Sequence, residues 1–129
     1  MSAIYVYRKG RGTPGAITPR RADGDTGLSA WSSVETLVER MHPRPDDFVT
    51  QIDTSRIGPL LVAAPDSHDP EHWLILTRTS ADMDAWIAFR DVIARSGVPE
   101  TELERRGSRL TDAVVGASVQ TKSVQEWER

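Results

Sequence analysis

The sequence predicts an α+β fold: a single domain with a mixed β-sheet core and helices mainly in the C-terminal third. Short runs rich in β-branched and aromatic residues recur up to Thr77, and apolar residues fall at helical spacing from Ser80 onward. A length of 129 residues suits one domain, taken here as 1–129, and is short for two of ordinary size. With 38% hydrophobic and 27% charged residues the chain has the make-up of a packed domain, without the charge excess of a disordered one.

The elements follow in order. "AIYVYR", Ala3 to Arg8, reads as a strand stopped by "KGRGTPG". A long Gly/Pro/Arg loop from Lys9 to Thr26 comes next, and loops of that length in small domains are either functional or disordered. After "GLSAW", Ser32 and Glu35 have the spacing of a capping box, and Val34, Leu37, Val38 and Met41 give a short amphipathic helix ended by "HPRP". Three strand candidates follow: "DFVTQIDT" from Asp47, "GPLLVAA" from Gly58 and, after a turn-rich "PDSHDPEH", "HWLILT" from His72. Met83, Trp86, Ile87, Phe89, Arg90 and Ile93 gather on one side of a helix closed by Gly97 and Pro99. Leu110, Ala113, Val114 and Ala117 mark a second helix after "ETELERRGS", and "QTKSVQEWER" has no periodicity, although Trp127 can dock on the body of the domain.

Composition excludes several classes. Without cysteine there is no disulfide, thiolate nucleophile or cysteine-based zinc site. His42, His68 and His72 lack the i, i+4 pairing of a helical zinc motif, so no metal is expected. The net charge of −3 gives no bulk attraction to nucleic acid or anionic lipid. Arg8, Lys9, Arg11, Arg20 and Arg21 nevertheless crowd the front of the chain, either to hold a phosphate or as a solvated basic loop. No apolar run approaches the ~20 residues of a membrane helix and no signal-peptide pattern opens the chain. The expectation is a cytoplasmic protein without membrane insertion, deliverable to another cell only by a route that needs no cleavable signal.

Three residues stand where a rigid scaffold can present polar groups to one cleft: Arg8 at the end of the first strand, Ser29 after the long loop, and His72 at the opening of a later strand. Taken in order, "YVYRKG", "TPR" followed by "GLSAW", "QIDTSRIGPLLVAAPDSHDPEHW" and "RLTDAVVGASV" resemble the small toxin domains with an ADP-ribosyltransferase-like fold found among Tse-type type VI secretion effectors and related polymorphic toxins. The resemblance covers about residues 4 to 119.

It implies that NAD is the substrate and that the nicotinamide–ribose bond is cleaved, with ADP-ribose passed to a protein or nucleic-acid target or to water. On that reading Arg8 clamps a phosphate or the ribose, and Ser29 orients Arg8 or the nicotinamide ribose. Gly27 lets the backbone turn close to the ligand. Trp31 walls or stacks on the nicotinamide, against the alternative that it is core packing, and Tyr7 joins Arg8, Ser29 and Trp31 as a binding residue. The third catalytic group is His72 or its neighbour Glu71; strand alternation lets one of them face the cleft, and His72 is preferred. "EWE", Glu126 to Glu128, imitates an acidic pair of arginine-modifying relatives but reads as a polar tail. A cognate immunity protein or antitoxin is the implied partner. An RNA-cleaving or translation-blocking toxin, with the arginines on a phosphate and His72 as acid or base, is the main rival. A non-enzymatic interaction domain is the third reading.

Overall fold

The computed structural model describes residues 4–19 and 27–129, and Arg20 and Arg21 of the basic cluster lie outside them. Among the described residues, strands β1 (Tyr5–Lys9), β2 (Gly27–Trp31), β3 (Phe48–Asp53), β4 (Leu61–Asp66), β5 (Asp69–Thr77) and β6 (Ser118–Ser123) form one sheet in the order β4-β5-β2-β1-β3-β6. Helices α1 (Val34–Met41), α2 (Ser80–Ala94), α3 (Glu102–Ala117) and α4 (Val124–Trp127) complete a small α+β domain. Every neighbouring pair of strands is antiparallel, which corrects the mixed sheet expected from sequence. Parallel neighbours need a long crossover, and here the helical segments connect strands that do not pair. No helix among the described residues is long and apolar enough to cross a membrane.

The two faces of the sheet bury different helices. Val6, Leu28, Ala30, Ile52 and Ile75 pack with Trp86 of α2 and with Leu110, Val114 and Ala117 of α3, all but fully buried. Across the sheet, Val49 packs with Leu37 of α1 and Val124 of α4, flanked by Tyr7, Trp31 and Trp127. Of the expected α2 face Trp86 and Phe89 are buried, joined by Ala85 and Val92, while Met83, Ile87, Arg90 and Ile93 are half-buried; of the expected α3 face Leu110, Val114 and Ala117 are buried and Ala113 is half-buried. Trp127 docks as its sequence position allows: its indole N–H donates to the Val49 carbonyl at 3.0 Å and Tyr7 meets its ring edge-on.

Helix boundaries depart from the sequence reading at both ends of the chain. Ser33, not Ser32, caps α1, its hydroxyl accepting from the Thr36 N–H. Ser32 is taken by β5: its N–H donates to the Glu71 carbonyl and its hydroxyl to the Glu71 carboxylate, so pairing between β2 and β5 runs one residue past Trp31 and delays the helix. Capping boxes do occur, at Thr101/Glu104 opening α3 and Ser123/Glu126 opening α4. The segment without periodicity is an edge strand and a one-turn helix, and Glu126 of "EWE" is part of that cap.

A buried polar relay fixes the loop after β1. The Trp86 Nε1–H donates to Thr111 Oγ1 at 2.9 Å, and that hydroxyl donates to the Ile17 carbonyl at 2.8 Å. Ile17 itself is fully buried, so one loop residue joins the core of α2 and α3. These helices also approach closely at Gly107, where an added Cβ would stand 2.0 Å from the Ala85 carbonyl oxygen. Beside it Arg106 pairs with the buried Asp82, and that hydrogen bond holds the Asp82 carboxyl below its ordinary value.

Two outcomes test this packing. Gly107→Ala gains about 1 kcal/mol of helix propensity but overpacks a rigid backbone contact at a cost of about 1–3 kcal/mol, and at 2.0 Å the upper end applies. Thermal melts should show a net loss of about 2 kcal/mol. Glu104 is the second. The N–H of Glu100, then Arg95 and the N–H of Thr101, lower its carboxyl from 4.5 to about 2. Its contribution is therefore complete above about pH 4.5 and disappears as pH falls through about 2. Urea midpoints across that range should show a step that Glu104→Gln removes.

Candidate functional site

β1 and β2 are neighbours that barely pair. Among the described residues their only register contact is Tyr7 with Trp31, whereas β1 matches β3, and β2 matches β5, over five residues each. Beyond Tyr7 the strands part, and the gap opens into a cleft of about 630 Å³. Gly10, with φ of 121°, turns the chain at the end of β1, and Gly15, Ala16, Thr18 and Pro19 of the loop that follows line the cleft wall. Gly27 stands on the opposite wall. A Cβ there would meet the Ile75 carbonyl oxygen at 2.3 Å, so the close approach that requires glycine is to β5, not a turn toward a ligand.

Arg8 spans the opening. Its Nη1 donates to the Ser29 carbonyl at 2.8 Å and its Nη2 to the Ala16 carbonyl at 3.4 Å, tying both walls to the tip of β1. Arg8 and Ser29 thus line one cleft, together with Lys9, Met41 and Arg90. Among the described lining residues three are cationic and none is acidic, in a chain whose net charge is −3, and one of the three, Lys9, pairs with Asp47 at 3.7 Å. Such a concentration of one sign raises the local concentration of an anionic ligand. Arg11 is directed elsewhere, its guanidinium lying over the Phe48 ring at 3.8 Å.

Behind Ser29 stands a second arrangement. Ser29 lies in β2 opposite Leu74, and His72 lies in β5 opposite Trp31, so both side chains share one face. Ser29 Oγ is 2.6 Å from His72 Nε2, and His72 Nδ1 is 3.0 Å from Asp66 Oδ2. A carboxylate only accepts, so Nδ1 carries the proton; in the neutral ring Nε2 is then the acceptor and the Ser29 hydroxyl donates to it. Asp66 reaches this position through a tight hairpin. The register shifts between Pro65 and Asp66, and Asp66 Oδ1 accepts from the His68 N–H at 2.9 Å while Oδ2 faces the imidazole. Those two contacts, the His68 N–H first, hold the Asp66 carboxyl below its ordinary value. Trp31 lies against the imidazole, its ring tilted by 42° with ring centres 4.7 Å apart.

His72 is not at a strand opening as expected: β5 begins at Asp69, because the hairpin turn takes Ser67 and His68 alone. His72 backs Ser29 and is not among the residues lining the cleft. Glu71 points to the start of α1, accepting from the hydroxyls of Ser32 and Thr36. Tyr7 and Trp31 also lie off the cleft wall, Tyr7 against Trp127 and Gln51, Trp31 against His72. Two site residues escape the sequence reading of function. Arg90 was legible as an arginine inside an apolar helical face; Asp66 had only its place in a turn-rich segment as a signal. No cluster of three His, Asp or Glu among the described residues is arranged to hold a metal ion. No protein-family model, curated protein or solved structure matches the chain.

The tautomer argument has a direct check. Long-range 1H–15N spectra of neutral His72 should show a protonated Nδ1 and an unprotonated Nε2, and Asp66→Asn should abolish that preference.

Proposed function

We propose that the cleft between β1 and β2 binds NAD and that the protein cleaves the bond between nicotinamide and ribose, as a toxin domain with an ADP-ribosyltransferase-like fold. One observation carries the reading: Arg8, Lys9 and Arg90 line, with Ser29, a cleft whose described lining has no carboxylate, Lys9 being paired with Asp47 beside it at 3.7 Å. A pyrophosphate presents the charge that such a set attracts, and guanidinium groups bind it through paired, charge-assisted hydrogen bonds. Gly27 and Leu28 bring backbone to the same wall.

In this reaction the C1′–N bond breaks, nicotinamide departs, and an acceptor oxygen bonds to C1′ as the sugar passes through oxocarbenium character. Arg8 and Arg90 hold the phosphates. Ser29 accepts from a ribose hydroxyl because its own proton is committed to His72, and a proton from the acceptor would reach His72 through that hydroxyl. The acceptor is a macromolecule or water. The role as an effector restrained by an immunity protein or antitoxin rests on the resemblance in sequence, and a restraining partner that fills the cleft would cover Arg8 and Ser29 together.

The same cations suit an RNA phosphate, with His72 as acid or base. Chromatography separates the two, since nicotinamide release from NAD supports the first and RNA cleavage without it supports the second. Calorimetric titration should show NAD binding weakened about tenfold or more in Arg8→Ala, the loss of one charge-assisted contact. Undiminished binding to that variant contradicts the reading.

A further inference from the structure

We propose that Ser29 Oγ is also a nucleophile toward the carbonyl carbon of small carboxylic esters, with His72 as general base and Asp66 as the residue that positions it. This acyl-transfer activity goes beyond the dinucleotide reading and does not rest on it. Two contacts in series carry it: Ser29 Oγ to His72 Nε2 at 2.6 Å, and His72 Nδ1 to Asp66 Oδ2 at 3.0 Å. A serine bonded to a histidine, itself oriented by a carboxylate, is the arrangement that activates a hydroxyl on several unrelated folds, recognised by geometry and role rather than by sequence position.

The surroundings fit each role. Ser29 is exposed in β2 and opens on the cleft, so a small ester can reach it. His72 and Asp66 are only 20% and 26% exposed at their side chains, and Trp31 lies against the imidazole and limits its rotation. Asp66 divides its oxygens: Oδ1 holds the hairpin through the His68 N–H and Oδ2 holds the imidazole. Arg8 is anchored on the Ser29 carbonyl, but it leaves β1 on the face of Val6, whereas Ser29 Oγ leaves β2 on the face of Trp31. Met41, an exposed apolar side chain, lines the same cleft and offers a surface to an acyl chain.

The step balances within these groups. The Oγ–acyl bond forms as the Oγ proton passes to His72 Nε2, and the carbonyl oxygen takes the negative charge. The bond from carbon to the alkoxy oxygen then breaks, and the leaving oxygen takes the proton from Nε2 and departs as an alcohol. Water, deprotonated by the same imidazole, attacks the acyl-serine. A carboxylic acid leaves, and Ser29 recovers its proton.

The test uses the full chain and no NAD. A fluorophosphonate probe should form one adduct, mapped by mass spectrometry to Ser29 and absent in Ser29→Ala, at a rate that rises with pH as the base becomes neutral. p-Nitrophenyl acetate should be hydrolysed with the same pH profile. Asp66→Asn retains an oxygen for the His68 N–H but turns an amide toward the imidazole, so labelling should slow at least about 100-fold. His72→Gln, which leaves Ser29 a polar partner, should do the same. Circular dichroism and melting establish that each variant is folded. No adduct at Ser29 in the folded wild type, or labelling of Asp66→Asn as fast as wild type, overturns the proposal. Nicotinamide release without an adduct removes the nucleophile and leaves the dinucleotide reading standing; an adduct without NAD binding does the reverse.

Discussion

The parting of β1 from β2 is the constraint on which the rest of the molecule depends. A sheet whose two central strands share one matched pair must either leave backbone groups unsatisfied or supply them with partners from elsewhere. Here the partner is a side chain. Arg8 donates to the carbonyls of Ser29 and Ala16, and the space that a continuous ladder would fill becomes a cleft lined by the residues that hold it open. Stability and ligand access are set by the same guanidinium, so the architecture and the chemistry are not separable at this position.

The cleft wall is as firmly built as its floor. A loop rich in glycine and proline has little intrinsic reason to stay in one conformation. The loop from Gly15 to Pro19 is fixed from the core side, through a fully buried Ile17 and the hydroxyl of Thr111, which receives the indole proton and donates its own to the Ile17 carbonyl. Both helices of one face are thereby coupled to the wall that a ligand would touch. On the other face, His72 joins β5 to β2 and, through Asp66, to the hairpin with β4, so Ser29 is positioned by strands on the side of the split away from Arg8.

How far the sequence reaches differs between elements for physical reasons. The helices α2 and α3 were legible because their buried faces are large and periodic, at Trp86 and Phe89 and at Leu110 and Val114. β6 was not, because an edge strand exposed on both sides has no apolar alternation to read. The capping box was sought at Ser32 and Glu35, where β5 had a stronger claim on the serine, while the true boxes at Thr101 and Ser123 stood in stretches without apolar periodicity ahead of them. Arg8 and Ser29 could be singled out as residues at a strand end and after a loop. Their distance, and the contribution of Asp66 through a shifted register, depend on long-range pairing that no local pattern encodes.

The central claim is that an anionic dinucleotide occupies the gap between β1 and β2. Backbone 1H–15N shift mapping during titration of the wild-type protein with ADP-ribose tests it most directly, because it requires no turnover. The account predicts that the changes concentrate at Gly10, Ala16, Gly27, Ser29 and Arg90, on both walls of the cleft. Saturable changes confined to the opposite side of the loop, around Gly12, Val115 and Gln120, or none at all, would contradict it.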